Sequence, residues 1–237
     1  MNKTGTLYLL PVGMGNNDPE RIIPFFNLSV IKELKHLVTE NGKTARAFLK
    51  KAVPGIILQE INYYELNNFT KPSELLNMLD ILLSGSDVGL MSEAGCPGIA
   101  DPGAELVLLA HNNNVKVAPL VGPSSILLTI MASGLNGQNF TFNGYLPKDK
   151  HERFKKIKEL EKLCFSKQQT QYFIETPYRN EQLINELLTT LSPITKLVIA
   201  SSITTPEEFI CTKFISEWKK TKLSNMDKKP CMFGIGS

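Results

Sequence analysis

"DVGLMSEAGCPGIADPGAELVLLAH", residues Asp87 to His111, decides the reading of the fold. It opens on an apolar run of strand character, "DVGLM", and closes on a helical run, "AELVLLAH". Between them lies "SEAGCPGIADPG", Ser92 to Gly103, with three glycines and two prolines. A strand-to-helix connection takes roughly 2–6 residues, so this loop is longer than its turn requires. In open α/β sheets the space beyond the carboxyl ends of the strands is where ligands bind, because helix N-termini there aim amide groups outward. Gly95, between Ala94 and Cys96, offers bare backbone on which a flat ligand can lie. Asp101 and Pro102 read as the cap and first position of the helix that follows. Cys96 has no histidine neighbour in sequence to activate it and reads as a small buried residue.

Outward from this loop, short apolar runs alternate with amphipathic ones. The first part of the chain gives strands at "TLYLLPV", "HLVTE", "EINYYEL", "DVGLMS" and "VKVAPLV". Helical segments such as "IPFFNLSVIKEL", "KTARAFLKKA" and "SELLNMLDILLSG" lie between most of them. That alternation predicts a mostly parallel sheet covered on both faces. After "PSSILLTIMASG", a buried helix, the texture changes. "NFTFNGYLP", "TQYFIET", "KLVIASSIT", "EFICTKFISEW" and "CMFGIG" read as strands, with helices only at "HERFKKIKELEKL" and "YRNEQLINELLTTL". Antiparallel neighbours are therefore expected near the end. The expected fold class is α/β, with an N-terminal domain over 1–120 and a C-terminal domain with a mixed sheet over 121–237, the boundary lying near Pro119 to Gly122. The lysines between Lys219 and Lys229 read as a solvated hairpin tip.

Composition excludes several classes. The chain has 237 residues, 42% of them apolar, enough for a real core in one large or two small domains. A net charge of +3 is too small to imply nucleic-acid binding by itself, although a local patch would suffice. Cys96, Cys164, Cys211 and Cys231 form no C-x-x-C pair, and His36, His111 and His151 stand singly, so neither a disulfide framework nor a metal site is expected, and a reducing cytoplasm fits. The first residues read as a strand broken by Pro11 and Gly13 rather than a signal peptide, and no apolar run approaches the roughly 20 residues of a membrane span.

Four more stretches could carry chemistry. "PVGMGNNDPE" places Gly13 and Gly15 after the first strand, with Asp18 as a cap and Pro19 at the first helical position; it is a ligand loop or a glycine turn. "VGPSS", Val121 to Ser125, sets two hydroxyls in a cap region that suits a carboxylate, or caps a helix and nothing more. In "IETPYR", Thr176 caps, Pro177 opens a turn, and Glu175, Tyr178 and Arg179 project from a strand end. "LPKDKHERFKKIKELEK", Leu146 to Lys162, puts Phe154, Ile157 and Leu160 on one helix face with lysines elsewhere, either a solvated face or an edge that meets phosphates.

Taken together these stretches resemble the tetrapyrrole methylase superfamily, the class III S-adenosylmethionine-dependent methyltransferases, and most closely its small-subunit rRNA ribose-2′-O-methyltransferase branch. "SEAGCPGIADPG" is similar to S-D-A-G-[TC]-P-x-I-x-D-P-G, "LVGPSS" to L-P-G-P-[SC]-A, "GYLPKDKHER" to G-F-L-P with trailing basic residues, and "IETPYR" to Y-E-S-P-H-R. The resemblance runs from about Gly5 to the end of the sequence. It implies two α/β domains, a donor cleft between them, S-adenosylmethionine as cofactor and a homodimer. Position by position, it implies donor contacts at Val12, Gly13, Met14 and Gly15, at Ala94, Gly95, Cys96 and Ile99, at Ser124 and Ser125, and at Tyr178, Ser202, Ile203 and Thr204. It departs from the branch where A-E-D-T-R reads "TENGK", Thr39 to Lys43, and where R-E-[LI]-T-K reads "SSITT", Ser201 to Thr205.

Methyl transfer from a sulfonium is an in-line displacement that rests on positioning, worth on the order of 7–11 kcal/mol. A hydroxyl acceptor also needs a base, and Glu40 and Glu175 are the carboxylates nominated. If the acceptor is rRNA, the basic residues expected to meet it are Lys148, Arg153, Lys155, Lys156 and Arg179. Three alternatives stand beside this reading: a methyltransferase acting on a tetrapyrrole or other small molecule, a non-catalytic RNA-binding relative, and a dinucleotide-binding oxidoreductase. The last is suggested by Gly13-x-Gly15 with Glu40 downstream and weakened by the missing third glycine, where Asp18 stands.

Overall fold

The computed structural model describes residues 3–15, 17–67, 69–223 and 226–237. The chain divides into two compact units, 1–124 and 125–237.

The first unit is built on five parallel strands, β1 (Thr6–Leu10), β2 (His36–Thr39), β3 (Asn62–Glu65), β4 (Val88–Met91) and β5 (Lys116–Pro119), in the order β3-β2-β4-β1-β5. β4 has every residue buried, as a strand with neighbours on both edges and helices on both faces must. On one face, α4 (Pro72–Leu83) and α5 (Ala104–Asn112) set Leu75, Leu79, Leu82 and Leu106 against Leu7, Val88 and Leu90. On the other, α2 (Phe25–Glu33) and α3 (Gly42–Ala52) set Ile31 and Leu49 against Leu10, Leu37 and Met91. Each such side chain contributes about 1.5–3 kcal/mol by leaving water. A single turn of helix, α1 (Pro19–Ile22), follows β1, with Asp18 Oδ1 accepting from Glu20 N at 3.3 Å and Pro19 at its first position. The strand order also removes the oxidoreductase reading, because a dinucleotide-binding unit sets its first strand beside its second, whereas here β4 lies between them.

The second unit carries β6 (Phe140–Tyr145), β7 (Thr170–Glu175), β8 (Lys196–Ser201), β9 (Phe209–Phe214) and β10 (Cys231–Gly236) in the order β6-β7-β10-β8-β9. Only β6 and β7 run parallel; the other pairs are antiparallel, giving the mixed sheet. α6 (Ser125–Ser133) covers one face, where Ile126 and Ile130 join Tyr172, Val198 and Met232. α7 (Lys150–Lys167), α8 (Asn180–Thr190) and the short α9 (Ile215–Trp218) cover the other, around Phe173, Phe233 and Ile235. Two buried aromatic polar groups are satisfied: Trp218 Nε1 donates to Leu197 O at 2.8 Å, and the Tyr172 hydroxyl lies 2.9 Å from Ser133 Oγ.

Four sequence expectations are corrected. "ISEW" does not extend β9: Glu217 Oε2 accepts from Phe214 N at 2.9 Å and starts α9. Lys219 to Lys229 is not a hairpin tip, since β8 lies between β9 and β10. The described part of that crossover is pinned by Asn180, whose amide donates to Met226 O at 3.0 Å and Lys229 O at 2.8 Å; residues 224 and 225 lie outside the described residues. Phe154 is exposed, and the buried face of α7 is Arg153, Ile157, Leu160, Glu161 and Cys164. Asp101 does not cap α5: Gly103 does, at φ +132°, where an added Cβ would stand 2.8 Å from Leu90 Cδ2.

Candidate functional site

In the first unit the loops that leave β1, β4 and β5 are fastened to one another. Val12 N donates to Gly95 O at 2.9 Å, and Cys96 Sγ lies 3.3 Å from Pro123 O. Ser92 Oγ holds the start of the long loop by donating to Ala94 O and Gly95 O at 3.3 and 3.4 Å. Val12 to Gly15, Ala94 to Ile99 and Ser124 are thus gathered at one edge of the sheet. Burial pushes the Cys96 thiol up, which suits a packing residue rather than a nucleophile.

Gly95 takes φ +72°, a conformation most side chains avoid. Gly95 is buried, and a Cβ there would stand in van der Waals contact with Pro123 O at 3.6 Å and Met14 Sδ at 4.0 Å. The backbone of this loop and the exposed apolar side chains of Ile99 and Val121 fit a ligand with a flat apolar part and polar ends. The surplus length of the loop is accounted for by this shape, since Ala100 and Gly98 also take positive φ.

Two carboxylates of this loop, Glu93 and Asp101, join Glu40 in a set that sequence reading did not assemble. Asp101 is pushed up to about 6 by burial and by the negative charges of Glu40 and Glu93. Glu40 is raised by burial and by Glu93. Glu93 itself is exposed and accepts a 2.7 Å hydrogen bond from Thr44 Oγ1. A carboxylate in such company holds a proton more readily than one in water. Adjoining Glu93 is a pocket of about 240 Å³, lined among others by Gly13, Thr44, Phe48, Lys51 and Ser92.

In the second unit Ser125 opens α6, and Ile203 shares an apolar cluster with Ile126 of that helix. Ser202 and Thr204 take φ +50° and +70° in a loop tied off by Ser202 N to Pro230 O at 3.0 Å and by Thr204 N to Glu208 Oε2 at 2.7 Å. Tyr178 is 79% exposed in the turn Pro177–Arg179 that follows β7.

Three nominated side chains, Glu175, Arg179 and Arg153, are engaged in ion pairs of the second unit. Glu175 is buried, and its Oε1 accepts from Thr176 N, from Arg179 Nη2 and, at 3.1 Å, from Arg179 Nε. Both it and Arg179 are engaged in holding their own turn. Arg153 is 3% exposed. Its Nε and Nη2 grip Glu186 at 2.6 and 2.8 Å, and its Nη1 donates to Pro147 O and Lys148 O at 2.9 and 2.7 Å. Four of its five N–H donors are so used, and its burial keeps the guanidinium away from an RNA at the surface. Lys155 and Lys156 pair with Glu152 and Glu159 at 3.2 and 3.0 Å, so their charge is answered on their own helix, while Lys148 stays exposed.

No family model matches the chain. It is 31% identical over 231 residues, 96% of its length and 77% of the relative's, to ribosomal RNA small subunit methyltransferase I of Buchnera aphidicola subsp. Schizaphis graminum. The protein of the same name from Halalkalibacterium halodurans is 29% identical over 206 residues, 87% of this chain and 67% of its own. Among solved structures, that of the methyltransferase CobJ covers 100% of this chain and 95% of its own at a TM-score of 0.63, with 18% identity, a likeness of fold. Four motifs in one order, this fold and a relative matched over most of both chains lead to one conclusion: the chain belongs to the ribosomal RNA small subunit methyltransferase I family, within the tetrapyrrole methylases, and is an S-adenosylmethionine-dependent methyltransferase.

Proposed function

We infer that this enzyme methylates the ribose 2′-hydroxyl of a nucleotide in small-subunit rRNA. The names of its relatives support an rRNA acceptor. The observation that carries the reading further is the conjunction, at the carboxyl end of the first sheet, of a glycine-turned loop that gathers free backbone and a carboxylate set with raised affinity for protons.

We assign donor binding in this unit to Val12 to Gly15, Ala94 to Cys96, Ile99 and Ser124. Ser125, Tyr178 and Ser202 to Thr204 of the second unit are donor contacts on the strength of the family resemblance. When bound, S-adenosylmethionine supplies an electrophilic methyl group on a sulfonium. The backbone of Ala94 to Cys96 holds its polar groups, and Ile99 covers its apolar part. A ribose hydroxyl is a poor nucleophile until its proton is drawn off, and Glu40 is the base proposed to accept that proton. Partial burial and the charge of Glu93 keep Glu40 in a setting in which carboxylates are more basic than in water.

The test is transfer of a labelled methyl group from S-adenosylmethionine to purified small-subunit rRNA, followed by nucleoside analysis. Label in a 2′-O-methylated nucleoside, much reduced in Glu40→Gln at unchanged donor affinity, is expected. Absence of label from RNA in any assembly state, with the protein folded and donor-bound, would overturn the assignment.

A further inference from the structure

Of the basic surfaces, the sequence points to α7, yet three of that helix's lysines pair with its own glutamates and its arginine is buried. α3 differs. Gly42–Ala52 carries Lys43, Arg46, Lys50 and Lys51 and no acidic residue. All four are exposed, and among the described residues none pairs with a carboxylate. Their spacing sets Lys43, Arg46 and Lys50 along one side of the helix, at i, i+3 and i+7. Arg46 is braced over the Tyr63 ring with its Cζ 5.0 Å from the centroid, which holds its charge outward at little further cost in ordering. Lys51 donates to Asn17 O and so ties α3 to the loop after β1.

The position of this helix is as telling as its charge. Its first turn lies beside the carboxylate set, through the Thr44–Glu93 hydrogen bond. Thr44, Phe48 and Lys51 line the pocket of about 240 Å³ that also meets Glu93 and Gly13. A row of cations on one side of a helix whose next side borders a small pocket with a polar rim and an aromatic side chain suits a single nucleic-acid strand that crosses the helix: phosphates meet the cations and one nucleoside leaves the stack.

We propose that the exposed face of α3 is the track for the phosphodiester backbone of the acceptor RNA, with Lys43, Arg46 and Lys50 as its phosphate contacts and the adjoining pocket as the place of the acceptor nucleoside. This rests on the acceptor being RNA and names the surface that takes it.

The experiment is equilibrium binding of a labelled single-stranded small-subunit rRNA fragment at a series of salt concentrations. Each phosphate contact adds about 0.7 to the slope of log affinity against log salt for single strands. Reversing Lys43, Arg46 and Lys50 to Glu should lower the slope by about 2, with S-adenosylhomocysteine binding unchanged as the control for folding. Should the triple variant fail to fold, Lys43→Gln with Lys50→Gln leaves the Arg46–Tyr63 stack in place and should lower the slope by about 1.4. The same reversal at Lys219 and Lys220 should leave it unchanged. A wild-type slope retained by both α3 variants overturns the proposal, as does a loss of slope on reversing Lys155 and Lys156 alone. Wild-type protein that neither binds nor methylates RNA overturns the rRNA assignment instead, a result told apart from the others because no variant is needed to see it.

Discussion

Replacing Asp101 by Asn should stabilise the protein, and only at neutral pH. In the folded chain Asp101 holds its proton up to about 6 instead of 3.8, chiefly because it is buried and further because Glu40 and Glu93 face it. The sign follows from proton counting. Between those two values the folded state binds more protons than the unfolded one, so stability falls as pH rises through the window and stays at the lower level above it. A shift of that size corresponds to an upper bound of roughly 3 kcal/mol at about 1.36 kcal/mol per unit. Asp101 is only half-buried and solvent screens part of the interaction, so about 1–2 kcal/mol is expected. Asn keeps the shape and removes the charge. Urea unfolding of wild type and Asp101→Asn from about pH 3 to 8 should therefore give curves that nearly meet at the acid end and separate by that amount at pH 8. Glu93→Gln should recover a fraction of the difference, because burial is the larger cause. A variant that is destabilised equally at both ends of the range would show that the carboxylate is held by hydrogen bonds, and the reasoning about the charge set would be wrong.

Gly95→Val should lose stabilisation by S-adenosylhomocysteine in a thermal shift assay while costing about 1–2 kcal/mol of intrinsic stability, since φ +72° is strained for a β-branched residue; normal ligand stabilisation would reduce the loop to a connector. Arg153→Met should cost about 3–5 kcal/mol in urea unfolding by stranding Glu186, and adding Glu186→Gln should restore part of it; an unchanged midpoint in the single variant would refute the anchoring role. Glu161 is pulled up by burial, but hydrogen bonds from Thr195, Ser192 and Lys158 outweigh this and hold it below its ordinary range. Its contribution should therefore be present above the ordinary carboxylate range and be lost as pH falls through the folded value, so that Glu161→Gln destabilises at pH 7 and much less at pH 3.

The fold was legible because its strands are written as apolar runs: "VGLM" has a single reading once it is followed by a glycine-rich loop and an amphipathic helix. Caps were less so. "DP" suits a helix start, but the steric demand of Leu90 against Gly103 set the start of α5 two residues later and freed Asp101. The carboxylate set was out of reach, because Glu40 follows β2 while Glu93 and Asp101 belong to the loop after β4, and only the pairing of β2 with β4 brings the two loops together. The charge cancellation on α7 was visible in principle, since Glu152–Lys155 and Lys156–Glu159 stand at i, i+3 in the sequence; the density of lysines there obscured it. The role of Arg153 was not visible, because Glu186 lies on another helix.

The central claim is that this chain places a methyl group on a ribose of small-subunit rRNA. It is tested most directly by mass spectrometry of nucleosides and fragments of that rRNA from cells with and without the protein. The account predicts that one 2′-O-methylated nucleotide is lost in its absence and returns with the wild-type chain but not with Gly95→Val. An rRNA modification profile that is the same with and without the protein would contradict it.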